Sequence, residues 1–367
     1  MPGQSVAGLV MLELKDVSRS SGRDPVLTMV SVQIARNVPT SVVGLSPVER
    51  AMLLRLLAGA DRPQSGAITL DGKDIAEARR GKGRIVQIGK TGVKPSGQRL
   101  GKQIGKSTAE RVGLGGKLEA RIGDLDLDQR LRVAIALARE EKPVLILLSA
   151  PSAELDHGIR ERFLADLGPM LADTGAVVVL LAGSVDEAAG LGGDVVVLSN
   201  GRLVQSGAAK DVFAHPANLA AALATSHPAL NMLPMSARNG SGVLPDGSTF
   251  QPPDGVALPE AGDCTLAFRP EDTLFERHGA TCVRFVVRAA GEESISGRRF
   301  VRLTFAGSTW LTPQPAVSLP PGAMLNAFVD RARLMVFGAE GDAIPQADPI
   351  AFSRGAGSSL ATDSPGG

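Results

Sequence analysis

The sequence is poor in aromatic residues, with no tyrosine, one tryptophan and eleven phenylalanines among 367 residues. The core must therefore be mainly aliphatic, and few aromatic faces remain on which nucleic-acid bases could stack. An excess of charge is also missing, because 39 lysines and arginines nearly balance 38 aspartates and glutamates. A net charge of +1 gives no electrostatic basis for binding nucleic acid or an anionic membrane.

Metal-ligating and disulfide patterns are also lacking. The two cysteines, Cys264 and Cys282, have no metal-ligand spacing, and the four histidines form no HxxxH pair. Asp124, Asp126 and Asp128 alternate as in a calcium loop, but the glycine and the terminal glutamate of such a loop are missing. We predict an exposed acidic turn at these aspartates and no metal site in the chain.

No apolar run reaches the ~18 residues that a membrane-spanning helix needs. The first stretch, MPGQSVAGLVMLEL, lacks the basic start and the apolar length of a signal peptide. These features predict a cytosolic chain without direct membrane insertion, whose role at any membrane comes through a partner.

Apolar strands and amphipathic helices alternate up to about residue 230. VLILL (144–148) and AVVVLLA (176–182) are continuous apolar runs typical of buried parallel strands. DQRLRVAIALARE, which precedes them, has the apolar period of a helix, whereas residues 10–35 alternate as antiparallel strands do. The pattern predicts an α/β fold with a doubly wound parallel core and an antiparallel β subdomain.

Local signals place the turns and helices of this region. Asp71-Gly72 and Asn200-Gly201 are typical hairpin turns. We predict helices over Ala51–Ala58 and over Ala153–Leu171.

The composition changes after residue 230. Residues 231–340 contain many Pro and Gly residues between short apolar strands, which predicts a small all-β domain. Residues 341–367 are rich in Gly, Ala, Ser and Pro, which predicts a disordered tail.

Four motifs follow one another at informative spacing. GLSPVERA (44–51) lies between an apolar strand and a Leu-rich helix, an apolar strand runs into Pro151, AELD follows at 153–156, and GRLVQSG follows at 201–207. In this order they resemble the ATP-binding subunit of an ABC transporter. LLRLLAGADRPQSGAITLDGKDI is similar to the family's sequence after its phosphate-binding loop, and the resemblance covers about residues 10–340.

The resemblance is greatest to carbohydrate and polyol importers. It implies a P-loop NTPase-like nucleotide-binding domain over residues 1–230 and an OB-like (TOBE-like) regulatory domain over 231–340. NMLP and LAFRPED resemble the start of that second domain. Leu191-Gly192-Gly193 resembles the glycerol branch of these importers. The implied partners are permease subunits and a second, intact ATP-binding subunit. The implied location is the cytoplasmic face of the inner membrane.

The family's phosphate-binding loop reads G-x-x-x-x-G-K-[ST] and binds MgATP. Aligned with it, Gly44 remains, Ser46 is a residue of the loop, Arg50 replaces the lysine, and Ala51 replaces the hydroxyl that holds Mg²⁺. Glu49 adds a negative charge, which is expected to repel phosphate. The resemblance therefore implies a degenerate site that binds ATP weakly at most and holds no metal.

The other motifs of the family are altered in the same direction. Ser149-Ala150 stand where the family has Asp-Glu, Gly183 stands at its switch histidine, and Ser21 stands at its adenine-stacking aromatic residue. The family's signature LSGGQ aligns with Leu125, Asp126, Leu127, Asp128 and Gln129, and its D-loop aspartate aligns with Asp156. The Q-loop position falls at Gly89 or Gln87, and the arm between Pro95 and Leu125 is short for the family. No residue is assigned a catalytic role.

A second apparent phosphate loop, GKQIGKST (101–108), is one residue too short and follows no apolar strand. A solvated basic loop is the better interpretation.

Three functions follow. The first is an ATP-binding-subunit-like component that lacks hydrolysis and acts structurally or in regulation. The second is an active ATPase that uses Arg50 and an unidentified acid. The third is a β domain that itself binds a small ligand or a regulatory protein.

Overall fold

The computed structural model describes residues 10–80, 84–277, 279, 281–315 and 319–344. The chain divides into two compact units between His227 and Pro228. The predicted disordered tail is wrong for residues 341–344, because Ile344 N–H donates to Val336 O at 2.9 Å, and the rest of the predicted tail, from residue 345 onward, lies outside the described residues.

The first unit alternates strands and helices, as predicted. Its described strands are β1 (Val10–Ser21), β2 (Asp24–Ala35), β3 (Thr40–Val43), β4 (Ser65–Leu70), β5 (Lys73–Asp74), β6 (Ile85–Gly89), β7 (Leu145–Ser149), β8 (Val177–Leu181), β9 (Asp194–Ser199) and β10 (Arg202–Ala208). Its described helices are α1 (Pro47–Leu57), α2 (Ile75–Arg80), α3 (Lys106–Arg111), α4 (Leu127–Glu141), α5 (His157–Leu171), α6 (Val185–Leu191), α7 (Ala209–Ala214) and α8 (Leu219–Ala224).

The strands of this unit form two sheets. An antiparallel sheet has the order β2-β1-β4-β5, and a second sheet has the order β10-β9-β3-β8-β7-β6. In the second sheet β9, β3, β8, β7 and β6 run parallel, and β10 is an antiparallel edge strand. The expected α/β core with an antiparallel subdomain is confirmed.

The parallel sheet is covered on both faces. Alternate residues of each strand point to opposite sides of the sheet, so both sets of side chains are buried. Leu145 and Leu147 pack with α1 and the antiparallel sheet, while Ile146 and Leu148 pack with α4 and α5. The continuous apolar run VLILL is thus explained by burial on two sides.

Helix boundaries differ from the sequence prediction at two N-termini. Helix α1 begins at Pro47 rather than Ala51, because Ser46 caps it. Helix α5 begins at His157 rather than Ala153, because a turn with a hydrogen bond from Leu155 N–H to Ser152 O precedes it.

The second unit is antiparallel throughout its described residues. Its strands are β11 (Asn231–Arg238), β12 (Ser241–Val243), β13 (Thr249–Phe250), β14 (Ala261–Phe268), β15 (Thr273–Leu274), β16 (Cys282–Ile295), β17 (Arg298–Phe305), β18 (Ser308–Pro313), β19 (Met324–Asp330) and β20 (Met335–Gly338). They form two five-stranded sheets, with orders β13-β12-β11-β14-β20 and β15-β19-β16-β17-β18.

The single tryptophan lies at the centre of the second unit. Trp310 packs edge-on against Phe268 and Phe285, with ring centroids 4.9 and 4.8 Å apart. Trp310 and the phenylalanines around it therefore form the aromatic centre of the second unit's core. Among the described residues, no helix has both the length and the apolar character required to cross a membrane.

Candidate functional site at the carboxyl edge of the parallel sheet

Strands β3, β7 and β8 are neighbours and run parallel, so the loops that follow them meet at one edge of the sheet. In open α/β sheets this carboxyl edge is where ligands bind. The aligned motif positions 44–51, 149–156 and 182–184 all lie in these loops or directly after them. The structure thus brings the predicted site residues of these three segments to one edge.

The turn after β3 requires a glycine. Gly44 has a φ of 79°, and a Cβ built there would lie 2.0 Å from the carbonyl oxygen of Leu198. Only glycine fits this conformation and this close approach. Gly44 therefore has a structural reason that does not depend on phosphate.

Three residues separate β3 from helix α1, and side chains of this segment close the N-terminus of the helix. The Ser46 hydroxyl accepts a hydrogen bond from Glu49 N–H at 3.2 Å, and the Glu49 carboxylate accepts one from Ser46 N–H at 2.7 Å. This capping box satisfies two of the N–H groups that a helix N-terminus otherwise offers to an anion. Glu49, expected only to repel phosphate, places its own carboxylate where an anion would accept the hydrogen bond from Ser46 N–H.

Arg50 and Ala51 lie within the first turns of α1. The Arg50 guanidinium donates to the carbonyl oxygen of Ala182, just after β8, at 3.2 Å. The cation that we align with the family's lysine therefore joins α1 to the loop after β8 at the same edge. Ala51 is exposed and has no atom that could coordinate a metal.

The loop after β7 carries no acid at the aligned Asp-Glu positions. Ser149 ends the strand, and Ala150 adopts a φ of 43°, which is unusual for a residue with a Cβ. The Ala150 N–H donates to Leu181 O at 3.0 Å, which holds this strained residue against the end of β8.

The loop after β8 is held by a buried carboxylate that the sequence did not single out. Glu187 of α6 is 1% exposed and accepts hydrogen bonds from the Ser152 N–H at 2.8 Å, the Ser152 hydroxyl at 2.6 Å and the Gly183 N–H at 2.7 Å. It joins the loops that follow β7 and β8.

Helix α4 begins inside the segment aligned with the family signature. Asp126 is its N-cap and accepts from Gln129 N–H at 2.8 Å, and the Gln129 side chain accepts from Asp126 N–H at 3.3 Å. Leu125 is buried, and its carbonyl oxygen accepts from Arg130. A second capping box therefore closes the second helix N-terminus at which the family is expected to contact phosphate.

Asp128 is tied into the body of the unit. Both of its oxygens lie 3.0 Å from Arg132 Nε, and Arg132 also reaches Asp166 at 2.8 Å and Val112 O at 3.2 Å. Burial raises the pKa of the Asp128 carboxyl above its ordinary value, against the opposing effect of Arg132. The prediction of a simple exposed acidic turn is therefore wrong for Asp128, which is half-buried and paired.

The D-loop position keeps its aspartate. Asp156 is exposed and is the N-cap residue of α5, but its side chain makes no capping hydrogen bond. The segment before it is held by Arg160, which donates to Ser152 O at 3.2 Å and to Leu155 O at 2.8 Å.

The remaining aligned positions lie in strands at this edge or in a hairpin. Gly89 ends β6 and pairs with Ser149, whereas Gln87 is an exposed residue within β6. Ser21 is exposed at the end of β1. In the loop after β6, Lys90 contacts Glu154 of the segment before α5.

The apparent second phosphate loop, 101–108, is partly helical. The segment is solvated as predicted, with most of its residues exposed, but it is not entirely a loop, because α3 begins at Lys106. Its N-terminus is closed by Glu140, which accepts from Gly105 N–H at 3.2 Å and from the Thr108 hydroxyl at 2.5 Å. These bonds lower the pKa of the Glu140 carboxyl.

The residues at the carboxyl edge do not fit MgATP as the family binds it. Both helix N-termini aligned with phosphate-contacting motifs bond to carboxylate or amide side chains of this chain. The positions aligned with Mg²⁺ ligands are Ala51, Ser149 and Ala150, which offer one hydroxyl and no carboxylate. The described residues also contain no cluster of three or more His, Cys, Asp or Glu side chains suited to a metal ion.

Two of the features missed in the sequence had a local signal. Ser46-x-x-Glu49 and Asp126-x-x-Gln129 both match the capping-box pattern. Ser184-x-x-Glu187 matches it too, but there the Glu187 side chain turns to Ser152 and Gly183. The non-local contacts of Glu187 had no sequence signal.

Comparisons with known proteins bear on the fold and on the type of subunit that the chain resembles. No protein-family model matches the chain. The chain is 28% identical over 313 residues to the sulfate/thiosulfate import ATP-binding protein CysA 2 of Chromobacterium violaceum, covering 81% of this chain and 84% of that protein. It is 30% identical over 235 residues to the Fe(3+) ions import ATP-binding protein FbpC of Pseudomonas fluorescens, covering 58% of this chain and 65% of that protein.

A solved structure supports the same fold. It is cbiO1 of Clostridium perfringens, described as part of the ABC transporter complex cbiONQ, which superposes with a TM-score of 0.50 at 21% identity over 56% of this chain and 92% of that one. The parallel sheet of this chain and these similarities indicate the same fold. The core of this chain has the fold of an ABC ATPase, and the chain is similar in sequence to ATP-binding subunits of ABC importers.

Proposed function

We propose that this chain is a subunit of an ABC importer that no longer hydrolyses ATP and acts as a structural or regulatory partner. The observation that carries the proposal is the closure of two helix N-termini by internal capping boxes, Ser46 with Glu49 and Asp126 with Gln129. Phosphate binding at a helix N-terminus depends on free N–H groups and on the helix dipole. Here two N–H groups at each of these N-termini are bonded within the chain, and an acidic side chain lies at each N-terminus.

The loss of the aligned carboxylates supports the same proposal. Phosphoryl transfer relies on Mg²⁺ and on precise electrostatic stabilisation of the phosphate oxygens. Ser149 and Ala150 supply neither a Mg²⁺ carboxylate nor a base for water. Arg50 retains a positive charge but already donates to Ala182 O.

The partners and the location of the chain are inferred from its similarity to ABC importer subunits. Permease subunits of an importer and a second, intact ATP-binding subunit are the partners, and the chain lies at the inner face of the membrane through them. The second unit acts as an OB-like regulatory domain. Its two five-stranded antiparallel sheets around a common aromatic core support this role.

The cargo is a carbohydrate or polyol in this proposal, as the resemblance to those importers implies. The relatives are named for sulfate or thiosulfate and for Fe(3+) ions, so these solutes are the alternatives. The two glycines of the segment that resembles the glycerol branch, Gly192 and Gly193, also have a structural reason. Both have positive φ, and a Cβ on Gly193 would lie 2.1 Å from Pro39 O. Uptake of labelled glycerol, sulfate and ferric ion in cells with and without the chain separates the cargo classes.

Steady-state MgATP turnover of the purified chain, alone and mixed with an intact ATP-binding subunit, tests the loss of hydrolysis. We expect no turnover by the chain alone. A rate that is abolished by Arg50→Ala and kept by Arg55→Ala would overturn the proposal and favour an ATPase that uses Arg50. Arg55 is a suitable control because it lies on the same helix and is 63% exposed.

A further inference from the structure

Glu187 is the most deeply buried carboxylate of the carboxyl edge and has no part in the proposed function. Its side chain is 1% exposed. Burial of a charged carboxylate is costly unless hydrogen bonds compensate for lost hydration. The contacts of Glu187 therefore indicate what this position is for.

The two oxygens of Glu187 are shared between two loops. One oxygen accepts from the N–H and the hydroxyl of Ser152, in the loop after β7, at 2.8 and 2.6 Å. The other accepts from Gly183 N–H, in the loop after β8, at 2.7 Å. All three donors point at one carboxylate, so each loop is fixed relative to the other.

The same two loops are also in close contact through Ala150 and Gly183. A Cβ built on Gly183 would lie 2.7 Å from Ala150 Cβ and 3.5 Å from a Glu187 oxygen. Real Cβ atoms do not approach so closely, and the Ala150 Cβ cannot rotate away. The backbone of Gly183 has no positive φ that would itself demand glycine. The position is glycine because Ala150 fills the space.

Two arginines extend the junction to the flanking helices. Arg50 of α1 donates to Ala182 O, next to Gly183, and Arg160 of α5 donates to Ser152 O. Strands β3, β7 and β8 thus have their following segments cross-linked by side chains of the chain itself.

We infer that Glu187, Ser152, Ala150 and Gly183 form a lock that holds the loops after β7 and β8 in one arrangement without any nucleotide. This inference goes beyond the proposed function, because the lock operates whether or not the chain binds ATP or a second subunit. A side chain cannot be restored at position 183 unless Ala150 also changes.

Hydrogen exchange of the full chain, measured without nucleotide, tests the hydrogen-bonded half of the lock. Glu187→Gln keeps the size of the side chain but replaces one acceptor oxygen by an NH₂ group, which faces an N–H donor. We expect exchange at Ser152 or Gly183 to accelerate about tenfold, as for loss of one hydrogen bond to a charged acceptor. Asp186→Asn is the matched control, since Asp186 is the exposed preceding residue of the same helix.

Unchanged exchange at both loops in Glu187→Gln would overturn the lock, whatever the result for ATP. Equal acceleration in Asp186→Asn would do so as well, because the effect would then follow helix charge. Since no nucleotide is present, neither result depends on the proposed loss of hydrolysis.

A double-mutant cycle tests the packing half. Gly183→Ala alone should lower stability and accelerate exchange in both loops, because its Cβ meets Ala150 Cβ. In the background Ala150→Gly, which removes that atom and suits the positive φ, Gly183→Ala should be tolerated, with exchange within about twofold of the Ala150→Gly parent. Additive effects of the two substitutions would contradict the packing we describe.

Discussion

Helices α1 and α5 both begin just beyond a parallel strand at the same edge of the sheet, but their N-termini differ. The N-terminus of α1 is closed by the reciprocal bonds of Ser46 and Glu49. At α5 the N-cap residue Asp156 makes no side-chain bond and remains exposed. The N-terminus of α1, which we align with the family's phosphate-binding helix, is thus capped by side chains, whereas that of α5, which we align with the D-loop, is not.

Helix α4 shows that the closed state does not depend on one arrangement of residues. In α1 the acid is the third helical residue and the hydroxyl is the N-cap, whereas in α4 the acid is the N-cap and the amide is the third helical residue. Both arrangements put one carboxylate at the positive end of the helix dipole. The common result supports a single interpretation of the two motifs.

The largest effect on this edge is expected from Glu187→Ala. It leaves two N–H groups and a hydroxyl without their buried acceptor, so we expect a loss of about 3 kcal/mol in the free energy of unfolding. This loss is measured from the unfolding transition of the first unit in a urea titration. Asp186→Ala, on the same helix but exposed, should cost less than about 1 kcal/mol, and equal losses would contradict the role of Glu187.

The comparison of α1 with α5 is tested directly by removing each N-cap side chain. Ser46→Ala should cost about 1 kcal/mol, because a capping hydrogen bond is lost. Asp156→Ala should cost only about 0.3 kcal/mol, since its side chain makes no such bond and contributes only through the helix dipole. The same urea titration measures both variants. If Asp156→Ala costs as much as Ser46→Ala, the two helix ends do not differ as described.

A smaller effect separates the hydrogen bond of Glu49 from its charge. Glu49→Gln keeps an acceptor for Ser46 N–H, so we expect a loss of about 0.5 kcal/mol from the charge alone. Thermal or urea unfolding at low and high salt measures it, and the difference from the parent chain should shrink in high salt. A difference that is independent of salt would show that the charge of Glu49 does not act through the helix dipole.

The smallest effect is a pair of opposite pH dependences. The pKa of Glu140 is lowered, mainly by the hydrogen bond from Thr108 and less by that from Gly105. The contribution of Glu140 to folding stability is therefore present above the unfolded pKa and is lost as pH falls through the folded pKa. The pKa of Asp128 is raised, so its contribution is present below the unfolded pKa and is lost as pH rises through the folded pKa.

Acid titration of stability checks these signs. Glu140→Gln should flatten the fall in stability on acidification below about pH 4.5, by a few tenths of a kcal/mol because the group is solvent-screened. Asp128→Asn should instead remove a decline that begins above the ordinary carboxyl pKa. Slopes of the same sign for the two variants would contradict the surroundings assigned to these carboxyls.

The buried parallel strands could be predicted from the sequence, because a strand buried on two faces is apolar without alternation. VLILL and AVVVLLA are apolar without alternation, and Asn200-Gly201 and Asp71-Gly72 form the expected turns. Start positions were less accurate, since α1 begins at Pro47. Proline is favoured in the first turn of a helix, so this start had a signal that the loop alignment obscured.

The interior of the candidate site could not be predicted in the same way. The contact between Glu187 and Ser152 spans 35 residues, and that between Arg50 and Ala182 spans 132. Sequence periodicity reports the face on which a residue lies but not which distant loop it meets. The close approach of Ala150 to Gly183 likewise depends on a left-handed residue whose conformation no local pattern announces.

The most direct test of the central claim is equilibrium binding of MgATP to the purified full chain by calorimetry. The account predicts no saturable binding with a Kd below about 1 mM, because a closed α1 N-terminus leaves no phosphate site and a Kd of 1 mM corresponds to only about 4 kcal/mol. Saturable binding at micromolar MgATP, lost in Arg50→Ala and kept in Arg55→Ala, would contradict it.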